Sequence, residues 1–466
     1  MQEKEYDLIV LGSGPAGEKA AIEASKMHKK TAIIEKRSVQ GGVCIHTGTI
    51  PSKTLRETVM YISGLRQRSV YGLMGAMKEN ITIKELMYRK GQVIRQELDI
   101  IQQNMSRYGI EVIKGTGMIT SPRSVIVFED EKTNRIINSK VIIISTGTKP
   151  YHPDFINFDN QYIYDGESIL HLDRIPRSLT IIGGGVIGCE YASIFAHIGT
   201  NVTIVDNRER LLSFLDREIA ETLLYLMRKY RINLILGEDI KDIAIKDNQV
   251  ITTTQSGRQI ISERLLYTAG RVGNTENLGL ETLGIETDQK GLIKVDDLYR
   301  TSIPNIYAVG DVIGFPSLAS VSMDQGRLAA IHAFQKNDTS CINNLLPFGI
   351  YTIPEVSMVG ETEEALGKAN QMYEVGIARY FELARGQIIN DHDGLLKLIF
   401  DPRSKRILGV HIIGERATEL IHIGQAVMTH NGNISYFVDT VFNYPTLTEA
   451  YKIAAMDGLA RLKNRY

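Results

Sequence analysis

The sequence predicts an α/β fold with two copies of one Rossmann-like unit and an α+β domain at the C-terminus, on three observations. Short apolar runs alternate with helical segments along the chain, as in proteins whose strands alternate with helices. A glycine-rich turn between a strand and a helix occurs twice, as GSGPAG and GGGVIG. After about residue 345 mixed strands and helices follow without a further glycine motif, which indicates a separate domain.

The first unit lies close to the N-terminus. The apolar run Tyr6–Leu11 is typical of a buried strand, and the glycine turn that follows it opens a predicted helix over Pro15–Met27. A second apolar run, Thr31–Glu35, predicts the next strand and ends in an acidic residue.

The second unit repeats this order with a predicted strand, helix and strand at Leu179–Ile182, Gly183–His197 and Asn201–Asp206. In both copies the terminal acid, Glu35 or Asp206, lies 18 residues after the last glycine (35 − 17 and 206 − 188). The chain therefore contains an internal repeat of one supersecondary unit.

Each copy carries a G-x-G-x-x-G fingerprint, formed by Gly12, Gly14 and Gly17 and by Gly183, Gly185 and Gly188. In such a fingerprint the first glycine permits a tight turn, and the second lets the backbone approach a pyrophosphate at the helix N-terminus. The third allows close helix–strand packing. The alternative is that these are only packing glycines. Two complete copies with identical acid spacing favour two dinucleotide sites instead.

The residues around Asp206 bear on the choice of nucleotide. A carboxylate here accepts a hydrogen bond from the ribose 2′-OH of NAD and repels the 2′-phosphate of NADP. Arg208 and Arg210 follow closely, and either they clamp that phosphate or they are a solvated surface pair. The sequence predicts NAD(H) as substrate with NADP(H) tolerated.

Composition narrows the remaining classes of protein. The chain has 466 residues, a formal net charge of -1 and three cysteines. The length predicts roughly three domain-sized units of ~150 residues each. The near-zero net charge predicts no nucleic-acid partner. The small number of cysteines fits a reducing compartment. The N-terminus shows no signal peptide, no apolar run approaches a membrane span, and the histidines show no metal-ligand spacing. We expect a soluble cytoplasmic protein without a metal site.

Two further segments, GGVCIHTGTIPSK (residues 41–53) and YAVGD (residues 307–311), complete a pattern. With both fingerprints, the chain resembles the two-dinucleotide-binding flavoprotein disulfide reductases, the class I pyridine nucleotide-disulfide oxidoreductase family, over essentially its full length. The resemblance implies an FAD-binding domain at 1–150 with a return segment at 276–344, and an NAD(P)-binding domain at 151–275. It also implies a dimer-interface domain at 345–466, and hence a homodimer or a higher oligomer.

The resemblance also implies which residues bind each dinucleotide. The FAD set comprises Gly12, Ser13, Gly14, Pro15, Ala16, Gly17, Glu35, Lys36, Gly42, Val43, Cys44, Thr49, Lys53, Thr116, Ser145, Thr146, Gly147, Gly310, Asp311, Leu318 and Ala319. The nicotinamide nucleotide set comprises Gly183, Gly185, Val186, Ile187, Gly188, Asp206, Arg208, Arg210, Gly270 and Arg271.

Lys53 and Glu190 resemble the family's ion pair beside flavin N5 and are the predicted catalytic residues. A buried ammonium there would stabilise the negative charge that reaches the ring with a hydride, and an acidic partner would keep it charged. The alternative is that both are ordinary helix-surface residues.

Two positions depart from the family pattern. The second cysteine of the redox loop is replaced by Thr49, and the catalytic histidine before Pro-Thr-x-x-Glu is replaced by Tyr444. A threonine cannot form a disulfide with Cys44, and a phenol is a far weaker base than imidazole at neutral pH. Glu449 keeps its place, and Thr446 to Glu449 predicts a helix capping box.

Both losses remove the thiol relay and leave a flavin site and a nicotinamide site. This pattern resembles the soluble pyridine nucleotide transhydrogenase branch, which implies ping-pong transfer of hydride between NADPH/NADP⁺ and NAD⁺/NADH through FAD, without a redox disulfide. Alternatives are an NAD(P)H dehydrogenase or diaphorase that reduces a quinone, dye or oxygen, a dihydrolipoyl dehydrogenase-like disulfide reductase, and a non-catalytic dimeric scaffold. The sequence leaves open the physiological direction and the roles of Cys44 and Cys341.

Overall fold

The first region of the chain is built around a seven-stranded sheet. The computed structural model describes residues 5–66, 81–130, 133–335 and 337–465, so the predicted ranges 1–150, 276–344 and 345–466 each include positions outside the described part. The elements up to residue 150 are β1 (Glu5–Leu11), α1 (Pro15–Lys26), β2 (Thr31–Glu35), α2 (Gly42–His46), α3 (Thr49–Arg66), α4 (Ile83–Arg107), β3 (Glu111–Lys114), β4 (Thr116–Ser121), β5 (Ser124–Phe128), β6 (Asn134–Ile144) and β7 (Thr148–Pro150).

The second region carries its own parallel sheet and a small antiparallel one. Its elements are β8 (Ile163–Asp165), β9 (Ser178–Ile182), α5 (Val186–His197), β10 (Asn201–Asp206), α6 (Arg217–Lys229), β11 (Asn233–Leu236), β12 (Ile240–Lys246), β13 (Gln249–Thr254), β14 (Gln259–Ser262), β15 (Arg264–Tyr267) and β16 (Arg271–Gly273). The parallel sheet has the order β11-β10-β9-β15-β8, and β12-β13-β14 form the antiparallel one.

The chain then returns to the first sheet through β17 (Ile306–Ala308), which pairs in parallel with β6, and α7 (Ala319–Phe334) follows. The order of that sheet is β3-β2-β1-β6-β5-β4, with β17 beside the C-terminal half of β6. Helix α7 packs tightly on α1, since a Cβ at Gly326 would lie 2.0 Å from the Ala16 carbonyl oxygen. β17 therefore adds a strand from this later part of the chain to the sheet of the first region.

The C-terminal region is an antiparallel sheet covered by helices. Its elements are β18 (Phe348–Ile350), β19 (Val356–Gly360), α8 (Glu363–Lys368), β20 (Glu374–Arg379), α9 (Ala384–Ile388), β21 (Leu395–Phe400), β22 (Ile407–Ile413), α10 (Ala417–Thr429), α11 (Ser435–Asp439) and α12 (Glu449–Arg465). The sheet order is β18-β19-β22-β21-β20. Its core includes Phe400, Phe437 and Tyr451, all fully buried.

The predicted strands of the two repeated units agree with the structure to within one residue, whereas helix α1 ends at Lys26 rather than Met27 and helix α5 begins at Val186 rather than Gly183. β2 and β10 have the predicted bounds, while β1 and β9 each begin one residue earlier than predicted. Both strands that follow the fingerprint helices are apolar and largely buried, as expected for a parallel sheet covered on both faces.

The predicted capping box at Thr446 is wrong. Helix α12 begins at Glu449 itself, so Glu449 does not occupy the third helical position that a capping box requires. The Thr446 hydroxyl instead donates to the Asn443 carbonyl oxygen at 2.8 Å, and the buried Glu449 Oε2 has no hydrogen-bond partner.

A buried ion pair joins the second region to the C-terminal one. Asp216 caps α6 by accepting the Glu218 N–H at 3.2 Å, and Lys397 of β21 donates to the same carboxylate at 2.8 Å. The Lys397 and Asp216 side chains are 0% and 1% exposed. Because each charge would be costly to bury alone, the pair fixes how β21 lies against α6.

The described residues contain neither a candidate membrane span nor a candidate metal centre. Over residues 5–66, 81–130, 133–335 and 337–465, no helix is long and apolar enough to cross a membrane. Within the same residues, no group of three or more His, Cys, Asp or Glu side chains is arranged to hold a metal ion.

Candidate functional site

The first fingerprint has the backbone geometry that its glycines predict. Gly12 has φ +99°, in the region that disfavours other residues. A Cβ at Gly17 would lie 2.1 Å from the Gly12 carbonyl oxygen, whereas a Cβ at Gly14 would meet nothing within 4 Å. Gly17 thus packs α1 against the turn, and Gly14 leaves open space at the N-terminus of α1, where no side chain caps the helix.

The acid of this unit is held by uncharged donors. Glu35 Oε2 accepts hydrogen bonds from the Ser13 N–H at 3.0 Å and the Ser13 hydroxyl at 2.6 Å. Glu35 Oε1 accepts the Arg37 N–H at 2.8 Å. These bonds orient the carboxylate at the end of β2.

A cavity of about 400 Å³ extends from this turn; we call it the first cavity. Its lining contains most of the predicted FAD set, namely Gly12, Ser13, Gly14, Pro15, Ala16, Glu35, Lys36, Gly42, Val43, Cys44, Thr49, Thr116, Ser145, Thr146, Gly147, Gly310, Asp311 and Ala319. The buried Thr146 hydroxyl lacks a hydrogen-bond partner, and Gly147 would carry a Cβ into open space. An unpaired polar group and an uncapped helix N-terminus suit a dinucleotide such as FAD.

The second fingerprint repeats the glycine geometry of the first. Gly183 has φ +103°, and a Cβ at Gly188 would lie 1.9 Å from the Gly183 carbonyl oxygen. A Cβ at Gly185 would again meet nothing within 4 Å. The open helix N-terminus here belongs to α5, and no side chain caps it.

The acid of the second unit is held by a charged partner. Asp206 accepts hydrogen bonds from the Arg208 guanidinium at 2.7 and 2.9 Å and from the Arg208 N–H at 2.8 Å. The Gly184 N–H donates to the same carboxylate. Burial alone would raise the pKa of Asp206, but these hydrogen bonds outweigh it and hold the pKa below its ordinary value. Arg210 instead donates to the Ser213 carbonyl oxygen at 3.2 Å.

A larger cavity of about 1060 Å³ lies between the three regions; we call it the second cavity. From the predicted sets it is lined by Val43, Thr49, Lys53, Val186, Ile187, Glu190, Arg271, Asp311, Leu318 and Ala319. Val43, Thr49, Asp311 and Ala319 line both cavities, so the two meet at these residues. Leu318 and Lys53 were predicted with the FAD set and lie on this side of the junction.

The remaining predicted residues lie outside both linings. Gly17, Gly183, Gly185, Gly188, Asp206, Arg208, Arg210 and Gly270 line neither cavity. Gly17 and Gly188 are absent from the linings because each packs its helix against the preceding turn. Arg271, which does line the second cavity, donates hydrogen bonds to the Thr148 carbonyl oxygen at 2.8 Å and to Glu167 at 3.2 Å.

Lys53 and Glu190 line the second cavity, and Lys53 lies one helical turn after Thr49, one of the residues where the two cavities meet. The Lys53 ammonium lies 2.6 Å from Glu190 Oε2, and the side chains are 25% and 5% exposed. The residues are 137 positions apart in the chain, on α3 and α5. The structure therefore brings together an ammonium and a nearly buried carboxylate at the wall of the second cavity, rather than leaving both on helix surfaces.

Family profiles match nearly the whole chain. The profile described as "Pyridine nucleotide-disulphide oxidoreductase" matches residues 6–326, and that family's dimerisation domain matches residues 346–455. The chain belongs to the pyridine nucleotide-disulphide oxidoreductase family. The predicted family and fold class are confirmed.

Two relatives in this oxidoreductase family match the chain along almost its full length. The "soluble pyridine nucleotide transhydrogenase" of Mycobacterium bovis is 46% identical over 461 residues, which covers 99% of this chain and 98% of that protein. The protein of the same name from Pseudomonas putida is 44% identical over 460 residues, covering 98% of this chain and 99% of that one.

Solved structures of the oxidoreductase family show the same fold. A Cu(II) complex of the HOCl-induced flavoprotein disulfide reductase RclA from Escherichia coli superposes with a TM-score of 0.88 at 27% identity, covering 98% of this chain and 99% of that one. LpdA from Mycobacterium tuberculosis superposes with a TM-score of 0.90 at 24% identity, covering 97% and 99%. At this identity, LpdA shows the fold alone.

In this member of the oxidoreductase family the thiols are free. The chain has three cysteines, and Cys44, Cys189 and Cys341 are each unbridged. Burial raises the pKa of the Cys44 thiol, although its hydrogen-bond partner Thr49 partly offsets this. A thiol with a raised pKa is a poor nucleophile at neutral pH, and the neighbouring Thr49 cannot form a disulfide with it.

Two residues of the site were not predicted from the sequence. Tyr351 lines the second cavity beside Lys53, and Glu167 joins the Thr47 hydroxyl at 3.0 Å to the Arg271 guanidinium. Neither lies in a glycine motif, and both act through contacts between residues more than 100 positions apart in the chain. A local pattern carries no signal for such contacts.

Proposed function

We propose that this oxidoreductase is an FAD-dependent NAD(P)⁺ transhydrogenase that moves hydride between NADPH/NADP⁺ and NAD⁺/NADH without a redox disulfide. The observation that carries the proposal is the Lys53–Glu190 pair in the wall of the second cavity, one helical turn from its junction with the first. The pair lies beside a loop in which Cys44 has Thr49 in place of a second thiol. The relatives named soluble pyridine nucleotide transhydrogenases support it.

The first cavity is the proposed FAD site. The free α1 N-terminus and Gly14 would face the pyrophosphate, Glu35 would accept from a ribose hydroxyl, and the Thr146 hydroxyl would gain a polar partner. When bound, FAD supplies a two-electron carrier that takes a hydride from one nicotinamide nucleotide and gives it to another.

The second cavity is the proposed nicotinamide site, used in turn by the reduced and the oxidised nucleotide. Lys53 would stabilise negative charge at the junction of the cavities, and Glu190 would keep the ammonium charged although it is partly buried. The wall between the cavities includes Asp311, whose pKa is raised by burial and lowered in part by Arg271.

The Asp206–Arg208 pair supports use of both nucleotides. In the structure the guanidinium neutralises the carboxylate, and the Arg208 side chain is 47% exposed. We infer that the carboxylate accepts the ribose 2′-OH of NAD(H), and that Arg208 turns outward to pair with the 2′-phosphate of NADP(H).

The proposed assembly is a homodimer or a higher oligomer formed through the C-terminal region, because residues 346–455 match the family's dimerisation domain. The proposed domain ranges are 1–150 and 276–344 for FAD, 151–275 for the nicotinamide nucleotide and 345–466 for self-association. A cytoplasmic location is also part of the proposal.

The test is an anaerobic mixture of purified holoenzyme, NADPH and thio-NAD⁺. We expect thio-NADH to form at a rate proportional to the enzyme concentration, and its absorbance measures that rate. Rapid reduction of the bound flavin by NADPH without thio-NADH would overturn the proposal and favour the diaphorase. A colourless protein that binds no flavin would favour the scaffold.

A further inference from the structure

The loop after β18 reaches from the C-terminal region to the Lys53–Glu190 pair. The Tyr351 N–H donates to Glu190 Oε1 at 2.9 Å, while Lys53 takes Glu190 Oε2. Each carboxylate oxygen therefore has its own donor, from a different region of the chain. This arrangement fixes the rotation of the Glu190 side chain.

The ring of Tyr351 lies against the same ammonium. Lys53 Nζ is 5.0 Å from the centre of the Tyr351 ring, within the range of a cation–π contact. Burial raises the pKa of Tyr351, and the Thr418 side chain only partly offsets this, so the phenol stays neutral. A Cβ at Gly349 would lie 3.5 Å from this ring, so β18 also backs the tyrosine.

We propose that Tyr351 is a positioning residue for hydride transfer. Its ring holds the Lys53 ammonium in the second cavity, beside the junction with the first, and its N–H orients Glu190. The C-terminal region thus completes the hydride site of its own chain. The inference rests on the proposed flavin and nicotinamide sites. Without the ring, Lys53 keeps its ion pair with Glu190 but loses the aromatic face that orients its side chain.

The experiment compares holoenzyme carrying Tyr351→Leu with holoenzyme carrying Tyr351→Phe. The leucine variant removes the ring and keeps the backbone N–H, whereas the phenylalanine variant removes only the hydroxyl. Tyr230→Leu is the matched control, because Tyr230 is also partly buried and packs its ring against His197, with ring centres 4.4 Å apart, outside both cavities.

Two readouts separate positioning from folding. The first is the equilibrium constant for reduction of the bound flavin by NADH, from anaerobic titration; the second is the acylation rate of Lys53 by a lysine-reactive ester, from mass spectrometry. In Tyr351→Leu we expect a fall of about tenfold in the equilibrium constant and faster acylation of Lys53. Tyr351→Phe and Tyr230→Leu are expected to match the wild type in both.

The proposal is overturned if Tyr351→Leu matches the wild type in both readouts, or if Tyr351→Phe is as impaired as Tyr351→Leu. If the leucine variant loses flavin or unfolds, Tyr351→Met, which restores volume with a flexible chain and no ring face, takes its place under the same criteria. Because the NADH half-reaction uses no second nucleotide, its outcome is separate from formation of thio-NADH. Failure of the transhydrogenase test with these Tyr351 effects present would overturn only the proposed function.

Discussion

The two fingerprint units share one backbone design and differ in how each holds its terminal acid. Glu35 is held by the Ser13 N–H and hydroxyl and by the Arg37 N–H, all uncharged donors. Asp206 is held by the guanidinium of Arg208. The first acid keeps its charge available to one ligand, while the second is paired with a cation that is half-exposed. Under the proposed function, the same scaffold binds a resident dinucleotide in the first unit and exchanges two nucleotides in the second.

The glycines show what the units have in common. In each copy the first glycine has a positive φ, the second faces open space and the third would collide with a carbonyl oxygen if it carried a Cβ. If the shared glycine geometry and the differing acids have separate roles, substitutions at the glycines and at the acids should affect different properties of the protein.

Lys53 lies between the two units, and its loss should have the largest effect. We expect Lys53→Met to slow reduction of the bound flavin by NADH about 10²- to 10³-fold, the range seen when one preorganised charge-stabilising group is removed. Stopped-flow absorbance measures the rate. Lys229→Met, at an exposed ion pair with Asp393, is the control and should leave the rate unchanged. Loss of flavin from the Lys53 variant, rather than slow reduction, would assign Lys53 to binding instead.

The third glycine of the second unit should matter for stability more than for chemistry. Gly188→Ala places a Cβ 1.9 Å from a carbonyl oxygen, and forced overpacking of this kind costs about 1–3 kcal/mol. Chemical denaturation measures this loss. Gly185→Ala is the matched control: its Cβ meets no protein atom, so the protein should fold normally and keep its flavin but bind nicotinamide nucleotides weakly. Equal destabilisation by both variants would contradict the distinct roles of the two glycines.

Asp206→Asn should change nucleotide preference. An amide cannot form an ion pair with Arg208, and the guanidinium becomes free for a 2′-phosphate that no longer meets a like charge. We expect the ratio of kcat/KM for NADPH to that for NADH to rise about tenfold. Arg208→Ala, measured alongside, should lower the same ratio. An unchanged ratio in Asp206→Asn would show that this acid does not face the ribose.

Cys44→Ser should have the smallest effect. The thiol has a raised pKa, and Thr49 beside it carries no sulfur. We therefore expect thio-NADH formation to stay within about twofold of the wild-type rate, the range of a substitution that disturbs little else. Glu190→Gln serves as the positive control for loss of activity. A collapse of turnover in Cys44→Ser with flavin still bound would restore a role for the thiol.

Local patterns predicted the repeated units well. The bounds of β2 and β10 were predicted correctly because an apolar run, a glycine turn and a terminal acid mark both ends of each unit. The meeting of Lys53 and Glu190 across 137 positions followed only from the family resemblance, since spacing alone says nothing about contacts between helices.

Other features lay beyond the sequence. The capping box at Thr446 failed because the start of α12 depends on the turn that precedes it and not on residue type alone. The ion pair between Asp206 and Arg208 was neither of the two alternatives predicted for that arginine, and Tyr351 carried no motif. Each depends on the rotamers and the packing of side chains, which local patterns do not specify.

The central claim is that one nicotinamide site serves both nucleotides in turn. The most direct measurement is the initial rate of thio-NADH formation over a grid of NADPH and thio-NAD⁺ concentrations under anaerobic conditions. We expect parallel lines in double-reciprocal plots, as for ping-pong kinetics, and we expect excess thio-NAD⁺ to inhibit in competition with NADPH. Lines that intersect would show that both nucleotides bind together, and would contradict it.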